Sequence, residues 1–408
     1  MLYLPIDTVE NGQILDADVH DINGRLLLSK GQVIEPKHLR ILRIWGIAEV
    51  CVANCKQSPE AQVDEFDPAK MARVEESTQQ LFAKIDLGHP LMETVYHSIV
   101  EYRYEQDLLS AWKKFEPSQK PPQVNLRGNE IQRKIQRGEI KLPEVPTIVI
   151  KLNALMDDPH ASTNDVAQIV SSSPSLSAIL LRIVNSAAFG LPTKVDSIMR
   201  AVSLLGTRQI SSLAIGICVM QAFSGIPGNV IDMSSFIIHS LACATIARII
   251  AALANIRNTE QIFIAGLLHD IGKLILFKYF SDQLKSLLTI QENGDLNQSL
   301  FEIEKETIGV THAQIAKLLL KQWNFPDQLI DNVVCHHTPS RAGVPAEASI
   351  IQIADIITHG TSFGSSAERL IPGFDEKAWE QVGLPANMIK LAFRQAIHQL
   401  KTIKSIIF

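Results

Sequence analysis

Over the first 55 positions, apolar residues alternate or run in strand-length stretches: "GQILDADVHD", "GRLLLSKGQVI" and "AEVCVA". Glycine turns separate them, so this part reads as a small β-rich unit. Between the strands, "PKHLRILRIWG" carries a helical pattern ended by Gly46. "KQSPEAQVDEFDPAK" is polar and proline-bearing, the composition of a linker. Helical spacing returns over 68–115 at Met71, Val74, Leu81, Phe82 and Ile85, until "EPSQKPPQVNLRGN" breaks it. From about 128 the pattern is helical almost to the end. Ser162 or Thr163 opens one helix there, and Ser173-Pro174 opens the next. Asn185 and Ser186 close that second helix near Phe189-Gly190, and another helix pair turns at Gly206. No fixed-period repeat runs through the chain. The expected architecture is mainly α: a small β-containing N-terminal module over 1–58, a helical linker region over 59–127, and an all-helical domain over 128–408.

The composition changes little in this picture. Of 408 residues, 46% are hydrophobic and 20% charged, as in a globular protein. The formal charge of −5 argues against nucleic acid or an anionic membrane as a partner. The greasiest stretch, "FIIHSLACATIARIIAALANI" from Phe236 to Ile256, is about long enough to span a bilayer. It carries His239 and Arg248, however, and reads better as a buried core helix. The start, "MLYLPIDTVENG", lacks the pattern of a signal peptide. Cys218, Cys243 and Cys335 sit in apolar runs, which suits reduced thiols, and Cys51 and Cys55 have no second ligand pair nearby. The expected location is cytoplasmic.

Candidate chemistry centres on "GLLHDIGKLI", Gly266 to Ile275, where a histidine and an aspartate interrupt an apolar helix. A buried charge costs several kcal/mol unless it is paired or coordinated. His239, His269, Asp270, His312, His336, His337 and Asp355 all fall within 230–360, mostly in apolar segments. Singly, each has a plain reading: a hydrogen-bonded core histidine, a helix-end pair at His336-His337, an aspartate bonded to a neighbouring helix end. Jointly, seven buried polar groups would need seven separate partners, whereas one metal cluster satisfies them together. Imidazole with carboxylate suits Zn, Mn or Fe, and a shared carboxylate suits a pair of ions. Lys273, three residues after Asp270, is either a phosphate holder beside such a site or a snorkelling surface lysine. His359 lies four residues after Asp355, beside Gly360, and reads as a helix cap and not a ligand.

These residues resemble the HD superfamily of metal-dependent phosphohydrolases, whose ordered pattern is a histidine, an adjacent histidine-aspartate and a distal aspartate. His239, His269-Asp270 and Asp355 follow that order. "LPEVPTIVIKLNALMDDPHAS" with "SSSPSLSAILLRIVNSAAFGLPTKVDSIMRAVSLLGTRQI" resembles more closely the HDOD family, the HD-related output domain of bacterial signalling proteins. The "NSAAFG" and "AVSLLG" elements carry the likeness, over about 130–340. Many HDOD domains lack the complete ligand set and are thought to act as signalling outputs; this chain keeps it. His312 and His336-His337 fall where the related HD-GYP phosphodiesterases, which cleave cyclic di-GMP, place second-metal ligands. Residues 1–55 are also similar to a module preceding some HD-GYP domains. Two departures stand against that likeness. "TPSRAGVPAEAS" replaces the glycine-tyrosine-proline loop, with only 18 positions from His337 to Asp355, and Ser235 stands where trinuclear members carry a glutamate.

The resemblance therefore implies at most two divalent transition-metal ions. His239, His269, Asp270 and Asp355 would hold one; His312, His336 and His337 would hold the other, with Asp270 bridging. Asp270 and Lys273 would be the catalytic pair of a phosphohydrolase acting on a phosphodiester or nucleotide, cyclic di-GMP first among them. The rival expectation is a signalling adaptor, binding partner proteins, with a structural or vestigial metal site. A di-iron redox or oxygen sensor fits the same ligands. The amphipathic helices over 68–115 are a plausible route to a homodimer.

Overall fold

The computed structural model describes residues 2–6, 9–20, 26–44, 47, 49–53, 67–109, 130–156, 158, 160–185, 191, 193–223, 225–226, 228, 231–293 and 298–407. Gly46, Cys55, Ser186 and the remainder of "NSAAFG" after Asn185 lie outside them.

The N-terminal module is built as the alternation predicts. Strands β1 (Leu2–Pro5), β2 (Ile14–Leu15), β3 (Val19–His20) and β4 (Leu26–Leu28) precede helix α1 (Pro36–Ile44) and strand β5 (Glu49–Ala53). β5 lies between β1 and β2, antiparallel to both, with Leu2 opposite Val52 and Leu15 opposite the same residue on its other edge. β3 and β4 pair separately. Ile6, Leu15, Ile34, Leu42, Val50 and Val52 close a core of their own, apart from the main one.

Two helices follow, α2 (Pro68–Leu81) and α3 (Pro90–Glu105). Each starts with proline at its first position, where the missing N–H costs nothing, and the Asp67 side chain caps α2 by accepting from the Ala69 N–H at 2.9 Å. The sequence reading placed them in a linker. Their apolar faces instead join the large helical core through Leu81, Phe82, Leu91, Met92, Val95 and Ile99, all buried.

That core is assembled from α4 (Glu130–Gln136), α5 (Thr147–Met156), α6 (Thr163–Ser171), α7 (Pro174–Val184), α8 (Ile198–Leu205), α9 (Thr207–Gln221), α10 (Met233–Leu253), α11 (Thr259–Leu268) and α12 (Ile271–Tyr279). It continues with α13 (Ser281–Asn293), α14 (Leu300–Thr307), α15 (His312–Gln322), α16 (Asp327–Val334), α17 (Pro345–Thr361), α18 (Glu376–Glu380) and α19 (Ala386–Ile407). The predicted starts hold: Ser162 forms a capping box with Asp165, Ser173 caps α7 ahead of Pro174, and Gly206 separates α8 from α9. Among the described residues α10 alone is long and apolar enough to cross a membrane, and 83% of its most apolar window is buried. It packs against α11, α17 and α19, which makes it the central helix and brings the acidic and histidine-bearing segments around it.

Candidate metal centre

Five segments converge on one buried point. α10 supplies His239, buried within a mostly apolar helix. The chain breaks between α11 and α12, and His269 and Asp270 occupy the break. The sequence reading put this pair inside a continuous helix; the two-residue interruption turns both side chains inward. Thr311 caps α15 by accepting from the Gln314 N–H while Gln314 reaches back to Thr311, so His312 stands fixed at the first helical position. α16 ends at Val334, and His336 and His337 follow in the turn after it. Asp355 lies within α17.

Gly272 explains how α12 and α15 come so close. A Cβ there would collide with the His312 carbonyl oxygen, so only glycine lets the His269-Asp270 break meet the start of α15.

The ligand-type atoms form two groups: His239, His269 and Asp355, and Asp270, His312, His336 and His337. Within each, the atoms lie within 4.8 Å of one another. His239 Nε2 is 3.2 Å from Asp355 Oδ1, and His269 Nε2 is 3.4 Å from the same oxygen. Asp270 spans the groups. Its Oδ2 is 3.3 Å from His269 Nε2 and 3.7 Å from His239 Nε2, while its Oδ1 is 3.3 Å from His312 Nε2. His337 Nε2 lies 3.1 Å from His312 Nε2, and the Phe301 ring covers His337 with centroids 4.5 Å apart.

Hydrogen bonds on the far ring nitrogens fix several tautomers. His269 Nδ1 donates to the Gly266 carbonyl at 2.7 Å and His336 Nδ1 to the Val333 carbonyl at 2.6 Å. His312 Nδ1 donates to Glu304 Oε2 at 2.8 Å. Each bond leaves Nε2 as the nitrogen that faces inward, the arrangement by which outer partners orient metal-binding histidines. Burial pushes His239 down to about 4, His336 down to about 3 and His337 well below the usual histidine range, so these rings are neutral near pH 7. Burial alone would raise Asp270 and Asp355. Lys273 and His269 hold Asp270 well below the usual carboxylate range, and His359 and His269 do the same for Asp355.

The outcome is a buried centre in which several inward-facing acceptor atoms are left without partners. Asp270 Oδ1, Asp355 Oδ1 and His336 Nε2 have no hydrogen-bond partner among the described residues. Orphaned acceptors of this kind are costly in a low-dielectric interior, and a cation satisfies several at once. The donor set fits the ions expected from the sequence, Zn, Mn or Fe.

Four further residues complete the surroundings. Lys273 is 1% exposed, so it does not snorkel; its Nζ donates to Asp270 Oδ2 at 2.9 Å and to Ser366 Oγ at 3.2 Å. His359 is not the helix cap expected: the Ser362 N–H caps α17, and the His359 ring turns inward against Asp355 and His239. Glu304 and Ser366 escaped sequence reasoning altogether. A glutamate in "LFEIEKET" looks like any exposed helical acid, and the chain's order says nothing of a contact with His312 eight residues later.

A family model for the HDOD domain matches residues 142–339. The span takes in His239, His269, Asp270, His312, His336 and His337 and stops short of Asp355. An uncharacterized protein of Treponema pallidum (strain Nichols) is 22% identical over 95% of this chain and 74% of its own length. An HDOD domain protein of unknown function from Geobacter sulfurreducens is 20% identical, with a TM-score of 0.59 over 68% of this chain and 96% of that one. A candidate phosphohydrolase from Shewanella amazonensis SB2B is 21% identical, with a TM-score of 0.52 over 67% of this chain and 97% of that one. At these identities the solved structures speak to the fold.

Proposed function

Because residues 142–339 are an HDOD domain, we propose that its buried centre holds two divalent transition-metal ions and hydrolyses a phosphodiester or nucleotide. A cyclic dinucleotide is the leading substrate class, on the resemblance to HD-GYP phosphodiesterases. The observation that carries the reading is Asp270: one oxygen faces His239 and His269, the other faces His312. A carboxylate placed this way joins two ligand groups.

His239, His269 and Asp355 would hold one ion and His312, His336 and His337 the other, with Asp270 between them. Bound ions supply Lewis acidity for attack of water on phosphorus. The chain's own residues do the rest. Gly266, Val333 and Glu304 hold their histidines in the tautomer that presents Nε2. Lys273 keeps Asp270 ionised and fixed at one oxygen. Half-buried His337 and Phe301 form the more exposed edge of the site, where a substrate would enter.

One observation favours a second reading, a non-catalytic signalling adaptor with a structural metal. The Lys273 ammonium is already engaged by Asp270 and Ser366, so the expected phosphate holder is occupied.

The test is elemental analysis of wild type and His312→Ala, purified without contact with affinity metals, alongside hydrolysis of bis(p-nitrophenyl) phosphate and cyclic di-GMP. Two ions per chain, fewer in the variant, with turnover, support the hydrolase. Two ions without turnover favour the adaptor. No ion retires the metal centre.

A further inference from the structure

We infer that His359 is a positioning residue, whose ring, with Nδ1 3.0 Å from Asp355 Oδ1, holds the Asp355 carboxylate in the orientation the metal centre requires. The inference rests on the dinuclear reading above and concerns a residue outside both the ordered ligand pattern and the family match, which ends at 339.

His359 follows Asp355 by one turn of α17, and helical side chains lean toward the N-terminus, so its ring lies over the aspartate. Its Nδ1 sits 3.0 Å from Asp355 Oδ1 and 3.1 Å from the Asp355 carbonyl oxygen. Both neighbours are acceptors, so the proton belongs on Nδ1. Asp355 Oδ1 is thus surrounded by three imidazole nitrogens, His239 Nε2, His269 Nε2 and His359 Nδ1. His269 Nδ1 is engaged by the Gly266 carbonyl, so Nε2 is the nitrogen it would offer to an ion. His359 Nδ1 is the nearest of the three to the very oxygen that would bind metal, and it comes from the same helix as Asp355. Its ring also stands edge-on to His239, with centroids 4.8 Å apart, so it buttresses two ligands of one ion.

The turn carrying His359 is itself held. Buried Arg103 of α3 donates to the Gly360 carbonyl at 3.1 Å and to Ser362 Oγ at 3.3 Å. A Cβ on Gly360 would collide with Ile99, so α3 seats directly against this point. His359 Nε2, by contrast, is buried without a hydrogen-bond partner among the described residues. That leaves one rival role, a direct ligand through Nε2.

Two substitutions separate the roles, because an asparagine amide overlays Nδ1 and a glutamine amide overlays Nε2. Co2+ is titrated into metal-free wild type, His359→Asn and His359→Gln, followed by visible absorption and by competition with a chelator. Urea unfolding of each metal-free protein controls for folding. The expected result is two Co2+ sites in wild type, near-wild-type affinity in His359→Asn, and a loss of about 10- to 100-fold at one site in His359→Gln, the usual cost of losing an orienting partner. Retention in His359→Gln with loss in His359→Asn would make His359 a ligand and overturn the proposal. Equal, wild-type affinity in both would make it a bystander while leaving the metal centre standing. A wild type that binds no Co2+ would overturn the metal reading and this inference together.

Discussion

Glu304 Oε2 accepts two hydrogen bonds from His312, one from Nδ1 and one from the backbone N–H, both at 2.8 Å. Both residues are fully buried. Glu304→Gln replaces a charged acceptor with a neutral one of the same shape, so the His312 lone pair becomes less basic. Affinity for Mn2+ should fall about 10- to 100-fold, measured by calorimetric titration. Unchanged affinity would mean that Glu304 serves only the packing of α14 against α15.

Lys273 faces Asp270 with both side chains 1% exposed. Removing one partner of such a pair strands the other charge, and the cost is about 3–5 kcal/mol. Lys273→Ala should therefore lower the metal-free protein's unfolding free energy by that amount in a urea titration. A loss near zero would show that Asp270 finds other compensation.

Gly364 has a φ of 72°, and a Cβ there would run into the Ser235 carbonyl oxygen and the His239 backbone nitrogen. Gly364→Ala combines left-handed strain with overpacking, for a destabilisation of about 2–4 kcal/mol. The push falls on His239, so metal content should drop as well. Thermal unfolding with elemental analysis would check both; a variant as stable and as loaded as wild type would contradict the contact.

The pH dependence of the metal-free protein has a definite sign. Burial holds His239 at about 4 and His336 at about 3, and lowers His337 too, against about 6.5 in an unfolded chain. Between those values the unfolded chain binds protons that the folded one refuses, so stability falls as pH falls through that window. His269 and His359 oppose this. Burial disfavours their charge, yet Cys243, Asp270 and Asp355 around His269, and Asp355 beside His359, raise them. Their contribution is present below about 6.5 and fades as pH rises through their folded values. Asp270 and Asp355, held low, add stability above about 4 that is lost on further acidification. With three histidines lowered and two raised, the urea midpoint should decline from pH 6.5 to 4 and then fall more steeply. A flat profile would mean that the rings are not neutral in the fold.

Much of this centre is legible from residue type and order alone. His239, His269-Asp270, His312, His336-His337 and Asp355 stand out because polar groups are expensive in apolar helices, and all seven come together. What the pattern hides is whatever depends on which helices touch. The apolar run from Ile262 to Phe280 gives no sign of stopping, yet it breaks at His269. The apolar face at the end of α2 is plain in Leu81, Phe82 and Ile85, but only its docking shows that the segment is core and not tether. Glu304, Ser366 and His359 take their roles from partners on other segments or from an inward-turned ring, which periodicity cannot distinguish from ordinary surface or cap positions.

The grip of Arg103 on the end of α17 bears on how this protein can be divided. Asp355 lies past the last residue of the family match, and the arginine holding its helix lies well before the first. A fragment trimmed to 142–339 would carry six of the seven converging groups, and α10 would lose the flank covered by α17 and α19. The residues that supply and hold the centre therefore reach back to α3 and forward through α17, well beyond the stretch that identifies it.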